Sequence, residues 1–555
     1  MKRKHQQETE NTVNDIIGGA PIRIILVRAT PGSGKSALPI IAGKLVQAGK
    51  ADACAWNVPR KALQYQGERN FQDPFFRDMF KHSLQIRSST NEPDPCRGLD
   101  GFTTTYQAIG IDHQRTVLTD FHRKRYVLTL DEFHHLEYGG IWHNAIDPIV
   151  KQAEYLLLMT GTMARGDGKQ IAYVPYTKIG DMLEPDLRPR EDTAVIEYTR
   201  QDALEDRAII PLKFNFHDGS AKWKDEDQNE ITVKSFNSLK ARVNVGAAVY
   251  TALSTEYATE LLSIGMDHWK KYKRFNRRSK LLIVTANIEH AKKAIAFLRK
   301  MNLGAEIATS HDSVQAAAAI KRFKYREVDI LVTIAMAYEG LDVPAITHII
   351  CLTHIRSTPW IEQMVARAVR IDHQSIPYEQ QYGYIFAPDD PRFRKIVNEI
   401  EAEQLPIVRK YKPPEQTELF EGDENNDDEP NPDRNIYNII PIGSSLTGKR
   451  GVTLAHNTSK TLLTPSSSEI EIPSDIESSL REQIDKHLKL HCYNNRYDYR
   501  KRNAEVKAYF QKSRADMTIA ELGNCLSYVQ RNYPAGKFRG TNHKRVSNKV
   551  REFRG

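Results

Sequence analysis

Side chains able to do chemistry are concentrated at the end of one predicted strand. In the stretch RYVLTLDEFHHLEYGG (125–140), an apolar run typical of a strand buried on both faces is followed by Asp131, Glu132, His134 and His135. Adjacent carboxylates repel each other, so they must be solvated or bound to something positive. We therefore expect this cluster to face a cation.

A second stretch predicts a phosphate-binding loop. ATPGSGKS follows a predicted strand at 22–30 and opens a predicted helix. Its glycines let successive backbone N–H groups point at phosphate oxygens, while Lys35 can reach the β- and γ-phosphates and Ser36 can ligate Mg²⁺. A plain glycine-rich turn is the alternative, which the strand–loop–helix context disfavours. The residues predicted to bind the nucleotide here are Ala29, Thr30, Pro31, Gly32, Ser33, Gly34, Lys35 and Ser36.

A bound nucleotide would explain the carboxylates. With nucleotide and Mg²⁺ held by the phosphate loop, Asp131 is predicted to supply a direct or indirect oxygen ligand, so Ser36 and Asp131 are the candidate metal ligands. Glu132 is predicted to orient or deprotonate the attacking water. His134 is expected to sense the γ-phosphate side and link it to another domain, whereas His135 is expected to be structural.

The elements that must position these residues alternate along the chain. Short apolar runs separated by helical patterns predict βαβ units and parallel sheets. In the first part of the chain the strand candidates are 22–30, 51–59, 125–133 and 155–162. A second such set follows at 280–287, 329–336 and 346–353.

The sequence predicts four regions. Residues 1–200 and 201–410 are expected to form two tandem α/β domains. Residues 411–475 are acidic and rich in Asn, Pro, Ser and Thr, which predicts a flexible linker, because such a segment buries too little apolar surface to offset the entropy of ordering. Residues 476–555 are predicted to form a small basic, mainly helical region. We expect the linker to let this region move.

Charge and composition narrow the class of protein. From Arg481 to Gly555 there are 18 Lys or Arg against 7 Asp or Glu, whereas the whole chain has a net charge of +9. A positive region of this kind favours a polyanionic partner, and its interleaved Tyr, Phe, Lys and Arg suit unpaired bases. An ordinary basic subdomain is the alternative. Five scattered cysteines argue against disulfides and predict a cytoplasmic location, and no apolar run suggests a membrane span.

The motifs resemble those of superfamily 2 helicases of the DExH type. Further stretches appear in the order of that family, with Gly161 and Ala366 departing from its usual Ala and Gly. They are VPRKALQYQ (58–66), GFTTTYQAIG (101–110), MTGTMAR (159–165), VTIAMAYEGLDVP (332–344) and QMVARAVR (363–370). The stretch 198–214 also resembles the segment that joins the motor domains in type III restriction and phage-repair helicases.

The resemblance implies two RecA-like domains with ATP in the cleft between them and nucleic acid across their top. Arg370 would be the arginine finger, Arg367 would contact the γ-phosphate and Gln363 would help to place the water, with both arginines on one face of a helix. Gly340 and Asp342 would face the same cleft, where Asp342 would touch the ribose or the finger.

Other roles follow from the same resemblance. His134, Thr160 and Thr162 are expected to couple hydrolysis to movement. Strand-end or loop residues are expected to bind the nucleic-acid backbone, although β-propensity alone also explains each threonine. These residues are Arg60, Thr103, Thr104, Thr105 and Thr333. An upstream glutamine, Gln6 or Gln7, is the candidate for adenine recognition.

Three functions remain open at this stage. The leading hypothesis is an ATP-dependent DNA helicase or double-strand translocase using Mg²⁺. An RNA helicase is the first alternative, because the phosphates of both polymers are the same. A nucleotide-switched clamp or motor subunit is the second, with a nuclease or methylase supplied by a partner chain. None of these functions involves a membrane.

Overall fold

The structure is a computed structural model of the 555-residue chain. It describes residues 2–112, 114–163, 169–179, 182–225, 227–239, 245–309, 313–325, 328–334, 341, 343–408, 439–452 and 472–534. Within these residues, no helix is long and apolar enough to cross a membrane. Each of the five cysteines is a free, buried thiol.

Strands in the first part of the chain confirm the four apolar runs and add others. They are β1 (Ile24–Ala29), β2 (Ala53–Val58), β3 (Ile86–Ser88), β4 (Gly101–Thr105), β5 (Tyr126–Asp131), β6 (Tyr155–Thr160), β7 (Tyr176–Ile179), β8 (Met182–Pro185) and β9 (Thr193–Tyr198). The strand order in the sheet is β3-β4-β2-β5-β6-β1-β9, and β7 pairs with β8 as a separate antiparallel hairpin. Parallel pairing joins β1 to β9 and joins β4 to both β2 and β3.

The second part of the chain forms another sheet. Its strands are β10 (Leu212–Lys224), β11 (Glu230–Val233), β12 (Lys280–Thr285), β13 (Glu306–Ala308), β14 (Ile330–Ile334), β15 (Ile346–Leu352), β16 (Gly383–Pro388) and β17 (Ile440–Val452). The order is β11-β10-β16-β15-β12-β14-β13, with β17 also on β10. All pairs from β10 through β13 along this order are parallel, whereas β11 and β17 are antiparallel to β10. The fold is therefore two RecA-like parallel-sheet domains with a helical C-terminal region.

Helices follow most of the strands. They are α1 (Lys4–Ile17), α2 (Leu38–Gln47), α3 (Lys61–Gln72), α4 (Pro74–Phe80), α5 (Tyr106–Gly110), α6 (Thr116–Phe121), α7 (Ile141–Gln152), α8 (Arg200–Glu205), α9 (Val245–Ser254), α10 (Glu256–Phe275), α11 (Ile288–Lys300), α12 (Ser313–Lys324), α13 (Thr358–Val365), α14 (Pro391–Val408), α15 (Pro473–Asn495), α16 (Tyr499–Phe510) and α17 (Ile519–Asn532). Three single-turn 3-10 helices lie at Lys35–Ala37, Phe133–His135 and Tyr378–Gln380.

The linker prediction is wrong for residues 440–452. These residues form β17, which pairs antiparallel with β10 from Phe214–Val452 to Lys224–Ile440. The polar sequence IPIGSSLTGKRGV gives no clear alternation, and its strand conformation is stabilised by backbone hydrogen bonds to a partner far away in the sequence. The rest of the predicted linker that precedes and follows β17, up to residue 471, lies outside the described residues.

The chain divides into two compact units that differ from the predicted domains. The first unit comprises Met1–Ile41, Leu130–His143 and Leu157–Ser466. The second unit comprises Ala42–Thr129, Asn144–Leu156 and Ser467–Gly555. The first unit contains the phosphate loop, the acidic cluster and the whole second sheet. The second unit contains β2, β3, β4 and the C-terminal helices.

Candidate active site and nucleic-acid interface

The phosphate loop connects β1 to α2 through a single 3-10 turn. Ala29, which stands where the usual phosphate loop has its first glycine, is the last residue of β1 and is fully buried. Gly34 has a φ of 84°, which glycine adopts without steric cost, and it precedes the turn Lys35–Ala37. Helix α2 begins only at Leu38, so Pro39 lies in its first turn, where the missing N–H has no partner to lose. The predicted helix therefore tolerates its proline.

The Lys35 side chain points toward the acidic cluster. Its ammonium donates to the backbone carbonyl of Ala29 at 2.9 Å and lies 3.5 Å from Oε1 of Glu132. Burial alone would raise the pKa of Glu132, but Lys35 and the hydrogen bonds from His134 and Gly161 hold that pKa well below its usual range. Glu132 is therefore a carboxylate at neutral pH.

The backbone at the acidic cluster turns sharply. Asp131, the last residue of β5, is buried at 7% exposure. Glu132 follows with a φ of 46°, in the left-handed region that few side chains adopt. The 3-10 turn Phe133–His135 comes next, and its Phe133 is fully buried. Strain of this kind at a charged residue is common at functional sites.

The predicted coupling residues meet at Glu132. The Thr160 hydroxyl lies 2.8 Å from Nδ1 of His134 and 3.3 Å from Oε2 of Glu132. The N–H of Gly161 donates to the same carboxylate oxygen at 3.1 Å. Thr162 takes part through its backbone, because its carbonyl accepts from the Thr160 hydroxyl at 2.9 Å. Hydrogen bonds of Thr160 at the end of β6 with Glu132 and His134 after β5 thus join the ends of the two strands.

Gly161 has a steric reason to be glycine. A Cβ at this position would lie 2.8 Å from Cγ of Pro31 and 3.0 Å from Nζ of Lys35. Contacts this close would force the phosphate loop or the lysine to move. The departure from the alanine of the resembled motif therefore allows the loop after β6 to approach the phosphate loop closely.

The helix predicted to carry Arg367 and Arg370 ends before them. Helix α13 stops at Val365, and both arginines lie in the turn and extended segment that follow, so the prediction of one helical face is wrong. The segment is held instead by the Val369 carbonyl, which accepts from the N–H of Ile210 at 2.8 Å. Backbone pairing with the chain before β10 replaces the helical hydrogen bonds.

This arginine segment packs on the phosphate loop. A Cβ at Gly32 would lie 2.8 Å from Cγ2 of Val369, so only glycine lets the two segments come this close. The Arg367 guanidinium donates to the Leu341 carbonyl at 3.1 Å. Gln363 lies in the last turn of α13. Gly340 and Asp342, the other predicted cleft residues, lie outside the described residues.

Helix α1 brings a second set of side chains to the phosphate loop. Gln6 is buried and its amide donates to the Gly34 carbonyl at 3.3 Å, whereas Gln7 bonds Asn11 on the exposed side. Of the two glutamines considered, Gln6 is therefore the one at the loop. Arg3, which sequence reasoning missed, lies against Gly34, where a Cβ would collide with its Nη1. Its spacing of three from Gln6 was the available signal.

Burial and neighbouring charge lower pKa values on α1. Burial lowers the pKa of Arg3, with a further contribution from Arg370. Burial also lowers the pKa of His5 to about 3, assisted by Arg3 and Lys35. His5 is fully buried against the ring of Tyr198, with a centroid distance of 4.3 Å. The phosphate loop is therefore surrounded by positive charge and a neutral imidazole.

Most of the predicted threonine contacts lie inside the protein. Thr103 and Thr104 are fully buried near the end of β4, and Thr333 is fully buried next to the last residue of β14, so these three side chains are covered by the protein. Thr105 ends β4, and its hydroxyl caps α5 by accepting from Ala108 at 3.1 Å. β-Propensity accounts for these buried threonines. Arg60 is the N-cap of α3.

The C-terminal helices are fixed within the second unit. Glu477 of α15 is 2% exposed and accepts from Arg87 of β3 at 2.8 and 3.0 Å, from Arg97 at 3.2 Å and from Arg481 at 2.8 Å. Glu92 also pairs with Arg87 and Arg97, at 2.8 and 3.0 Å. We call these five residues the docking cluster. The expectation that a linker lets this region move is wrong for α15, because Glu477 near its N-terminal end is anchored by buried charges.

Comparison with known proteins gives two family-model matches. Residues 1–165 match the model described as type III restriction enzyme, res subunit. Residues 264–372 match the model described as helicase conserved C-terminal domain. Together the two matches include the phosphate loop, the acidic cluster and the arginine segment.

Curated relatives and solved structures resemble the chain more distantly. Uncharacterized proteins of Mycobacterium leprae and Mycobacterium tuberculosis H37Rv are 23% and 22% identical over 393 and 395 residues, covering 70% of this chain and 62% of theirs. The chain therefore spans less than two thirds of the length of these relatives. Mycobacterium smegmatis helicase Lhr bound to ssDNA and AMP-PNP matches with a TM-score of 0.45 at 13% identity, covering 73% of this chain and 48% of that chain. The ATP-dependent Type ISP restriction-modification enzyme LlaBIII bound to DNA matches at 0.43 and 15%, covering 70% and 27%.

Proposed function

The chain belongs to the superfamily 2 helicases, of the type III restriction-like kind, and from this premise we propose that it is an ATP-dependent DNA motor. ATP is hydrolysed at the phosphate loop, and the protein moves along DNA or unwinds it. The helicase-like domains support a helicase or translocase motor. The use of ATP and the choice of DNA are the parts that this proposal adds.

The contact between Lys35 and Glu132 is the observation that carries the proposal. The Lys35 ammonium is 3.5 Å from the glutamate and also bonds a backbone carbonyl, so it is already buried beside the loop that would hold the phosphates. A γ-phosphate competes for this ammonium because it carries more negative charge than one carboxylate. Glu132 then remains oriented by the N–H of Gly161 and is an ionised acceptor for a proton of the attacking water.

Mg²⁺ fits the donors available at this site. Among the described residues, no three His, Cys, Asp or Glu side chains gather as a metal-binding group. Mg²⁺ is usually bound by one or two protein oxygens together with substrate phosphates and water, so the Ser36 hydroxyl and the Asp131 carboxylate would hold it. Bound there, it would neutralise charge on the phosphates.

The arginine segment would complete the site. Its packing on Gly32 supports a role for Arg370 as the arginine finger and for Arg367 at the γ-phosphate. Gln363 would help to place the water, and Asp342 with Gly340 would lie toward the ribose. Gln6 would recognise adenine from α1.

Hydrolysis would be coupled to movement through the hydroxyl of Thr160. This hydroxyl contacts Glu132 on one side and His134 on the other. Loss of the γ-phosphate changes what Glu132 binds, and the threonine transmits this change to the loop that contains Thr162. The residues with the strongest coupling role are therefore His134, Thr160 and Thr162.

The res-subunit family model supports DNA as the polymer, whereas the basic C-terminal region supports binding of a nucleic acid of either kind. On α16, Arg500, Lys501 and Lys507 are exposed, and within the described part of the chain they form no ion pair. Such side chains suit phosphate contacts. Arg60, at the start of α3, remains the candidate for backbone contacts in the first part of the chain. A partner chain would supply any nuclease or methylase activity.

ATP hydrolysis measured with no polymer, single-stranded DNA, duplex DNA or RNA tests the proposal. We expect DNA to stimulate hydrolysis in the wild type. Lys35→Ala and Glu132→Gln should each lower the stimulated rate by about 100-fold or more, because the first removes the cation for the γ-phosphate and the second removes the proton acceptor for the attacking water. Lys300→Ala and Glu191→Gln are matched controls at exposed positions and should retain the wild-type rate.

The outcomes separate the three functions. Stimulation by RNA alone would identify an RNA motor. No stimulation by any polymer, in protein that still binds ATP, would indicate a nucleotide-switched clamp. Stimulated hydrolysis that persists in Glu132→Gln would contradict the role given to this carboxylate.

A further inference from the structure

The loop after the acidic cluster exposes two large apolar side chains. Tyr138 is 67% exposed and Ile141 is 80% exposed, on either side of Gly139 and Gly140. Single exposed apolar residues are common, whereas exposed apolar side chains grouped at one place are a feature of interaction sites. We call residues 138–141 the aromatic tip.

The aromatic tip is firmly held at its base. Leu136, just before it, is fully buried, and its carbonyl accepts from the N–H of Ala172 at 2.8 Å. The N–H of Tyr138 donates to the Gln170 carbonyl at 2.9 Å. Both partners belong to the segment that follows β6. A loop anchored on two sides presents its tip side chains in a defined direction.

Three rings lie in a row from the tip inward. Tyr138 lies 5.3 Å from His143, and His143 lies 5.2 Å from Tyr173, centroid to centroid. The N–H of Gly139 donates to Nδ1 of His143 at 3.1 Å and so fixes the middle ring. The outermost ring is the exposed one, which leaves it available for one more flat partner.

The tip is also close in sequence to the reacting groups. Five residues separate Tyr138 from Glu132, and three of them form the 3-10 turn Phe133–His135. The N–H of His135 donates to the Glu132 carbonyl at 3.0 Å. A force on the tip therefore acts on a short, hydrogen-bonded segment that ends at the backbone of Glu132.

We propose that Tyr138, with Ile141 beside it, stacks on an unpaired base of the nucleic acid and transmits its presence to Glu132 through the turn Phe133–His135. This proposal rests on the proposed function. An aromatic face binds any base without reading its edge, which suits a motor that must work on every sequence. Because the contact requires an unpaired base, single strands stimulate ATP hydrolysis through the tip, whereas blunt duplexes do not.

Stimulated hydrolysis in tip variants provides the first test. With an oligo(dT) single strand, Tyr138→Ala should raise the concentration needed for half-maximal stimulation by roughly 5- to 150-fold, the range that corresponds to one lost base stack. Tyr138→Phe should stay within about threefold of the wild type, because it keeps the ring. Tyr325→Ala removes another exposed tyrosine and should change nothing.

Photocrosslinking provides a second test that does not depend on hydrolysis. An oligo(dT) carrying 5-iododeoxyuridine should crosslink to the peptide that contains Tyr138, and Tyr138→Ala should abolish that product. The proposal would be overturned if Tyr138→Ala needed the same oligo(dT) concentration as the wild type for half-maximal stimulation. It would also be overturned if the crosslinks fell outside residues 136–143. A wild type that no polymer stimulates would refute the proposed motor, whereas the crosslink would still decide whether the tip contacts a base.

Discussion

Replacing Glu477 by alanine should release the C-terminal helices from the second unit. The carboxylate is 2% exposed and takes four hydrogen bonds from three arginines. Its removal leaves Arg87 and Arg97 sharing the carboxylate of Glu92, and takes from Arg481 its ion pair on α15. Breaking a buried ion pair by deleting one partner costs about 3–5 kcal/mol, because the remaining charges stay buried without compensation.

Hydrogen exchange measures this change locally. A loss of 3–5 kcal/mol lowers the protection of α15 amides by roughly two to three and a half orders of magnitude, at 1.36 kcal/mol for each factor of ten. The exposed Glu482 on the same helix is a matched control, and Glu482→Ala should leave protection unchanged. Protection of α15 in Glu477→Ala within about threefold of the wild type would refute the reasoning.

The docking cluster should also respond to pH in a defined direction. Burial alone would raise the pKa of Glu477, but its hydrogen bonds and charge contact with Arg87, and the charges of Arg481 and Arg97, lower it. Its stabilising contribution is therefore complete above the ordinary carboxyl pKa and is lost as the pH falls through the lowered one.

A double substitution, Arg87→Met with Glu477→Leu, should recover much of the protection of the α15 amides that Glu477→Ala loses, because apolar packing often replaces a buried ion pair without loss.

Three further outcomes are expected. Thr160→Val keeps the shape of the side chain but removes the hydroxyl that contacts Glu132. The DNA-stimulated kcat should therefore fall by about tenfold, while the KM for ATP changes little. Equal stimulation in the wild type and in Thr160→Val would argue against coupling through this hydroxyl. Gln6→Ala should raise the KM for ATP by roughly 3- to 10-fold and not that for GTP, measured side by side. Folded His5 stays neutral because its pKa is about 3, so the free energy of unfolding should fall as the pH drops below 6.5, by up to about 1.4 kcal/mol per pH unit. In denaturant titrations, His5→Phe should lower the number of protons taken up on unfolding by one and so flatten this pH dependence.

The strands near the site could be predicted from sequence because they are buried on both faces. The apolar run 126–130 before Asp131 predicts a buried strand without reference to any distant residue, and β5 occupies that run. The phosphate loop and the acidic cluster were equally readable, since their spacing is local. Their roles in catalysis stay predictions that the proposed assays must test.

Features that depend on distant partners could not be predicted. Glu477 lies in an ordinary amphipathic pattern, and its partner Arg87 is 390 positions away. The end of α13 at Val365 was missed because the backbone of Val369 bonds Ile210, far away in the sequence. Thr103 and Thr104 looked accessible in a motif and are buried in β4. In each case a non-local contact decides between two locally acceptable conformations.

Strand β17 determines where a shortened protein that contains the second sheet can end. Eleven residues of β10, from Phe214 to Lys224, pair with it, while β16 and β11 occupy the opposite side of the same strand. A protein shortened to end at Val408 would keep every other strand of this sheet and yet expose a long row of unsatisfied N–H and C=O groups. Such an edge recruits strands from other molecules. A soluble fragment of the second sheet therefore has to extend through residue 452, past the acidic segment that looks dispensable.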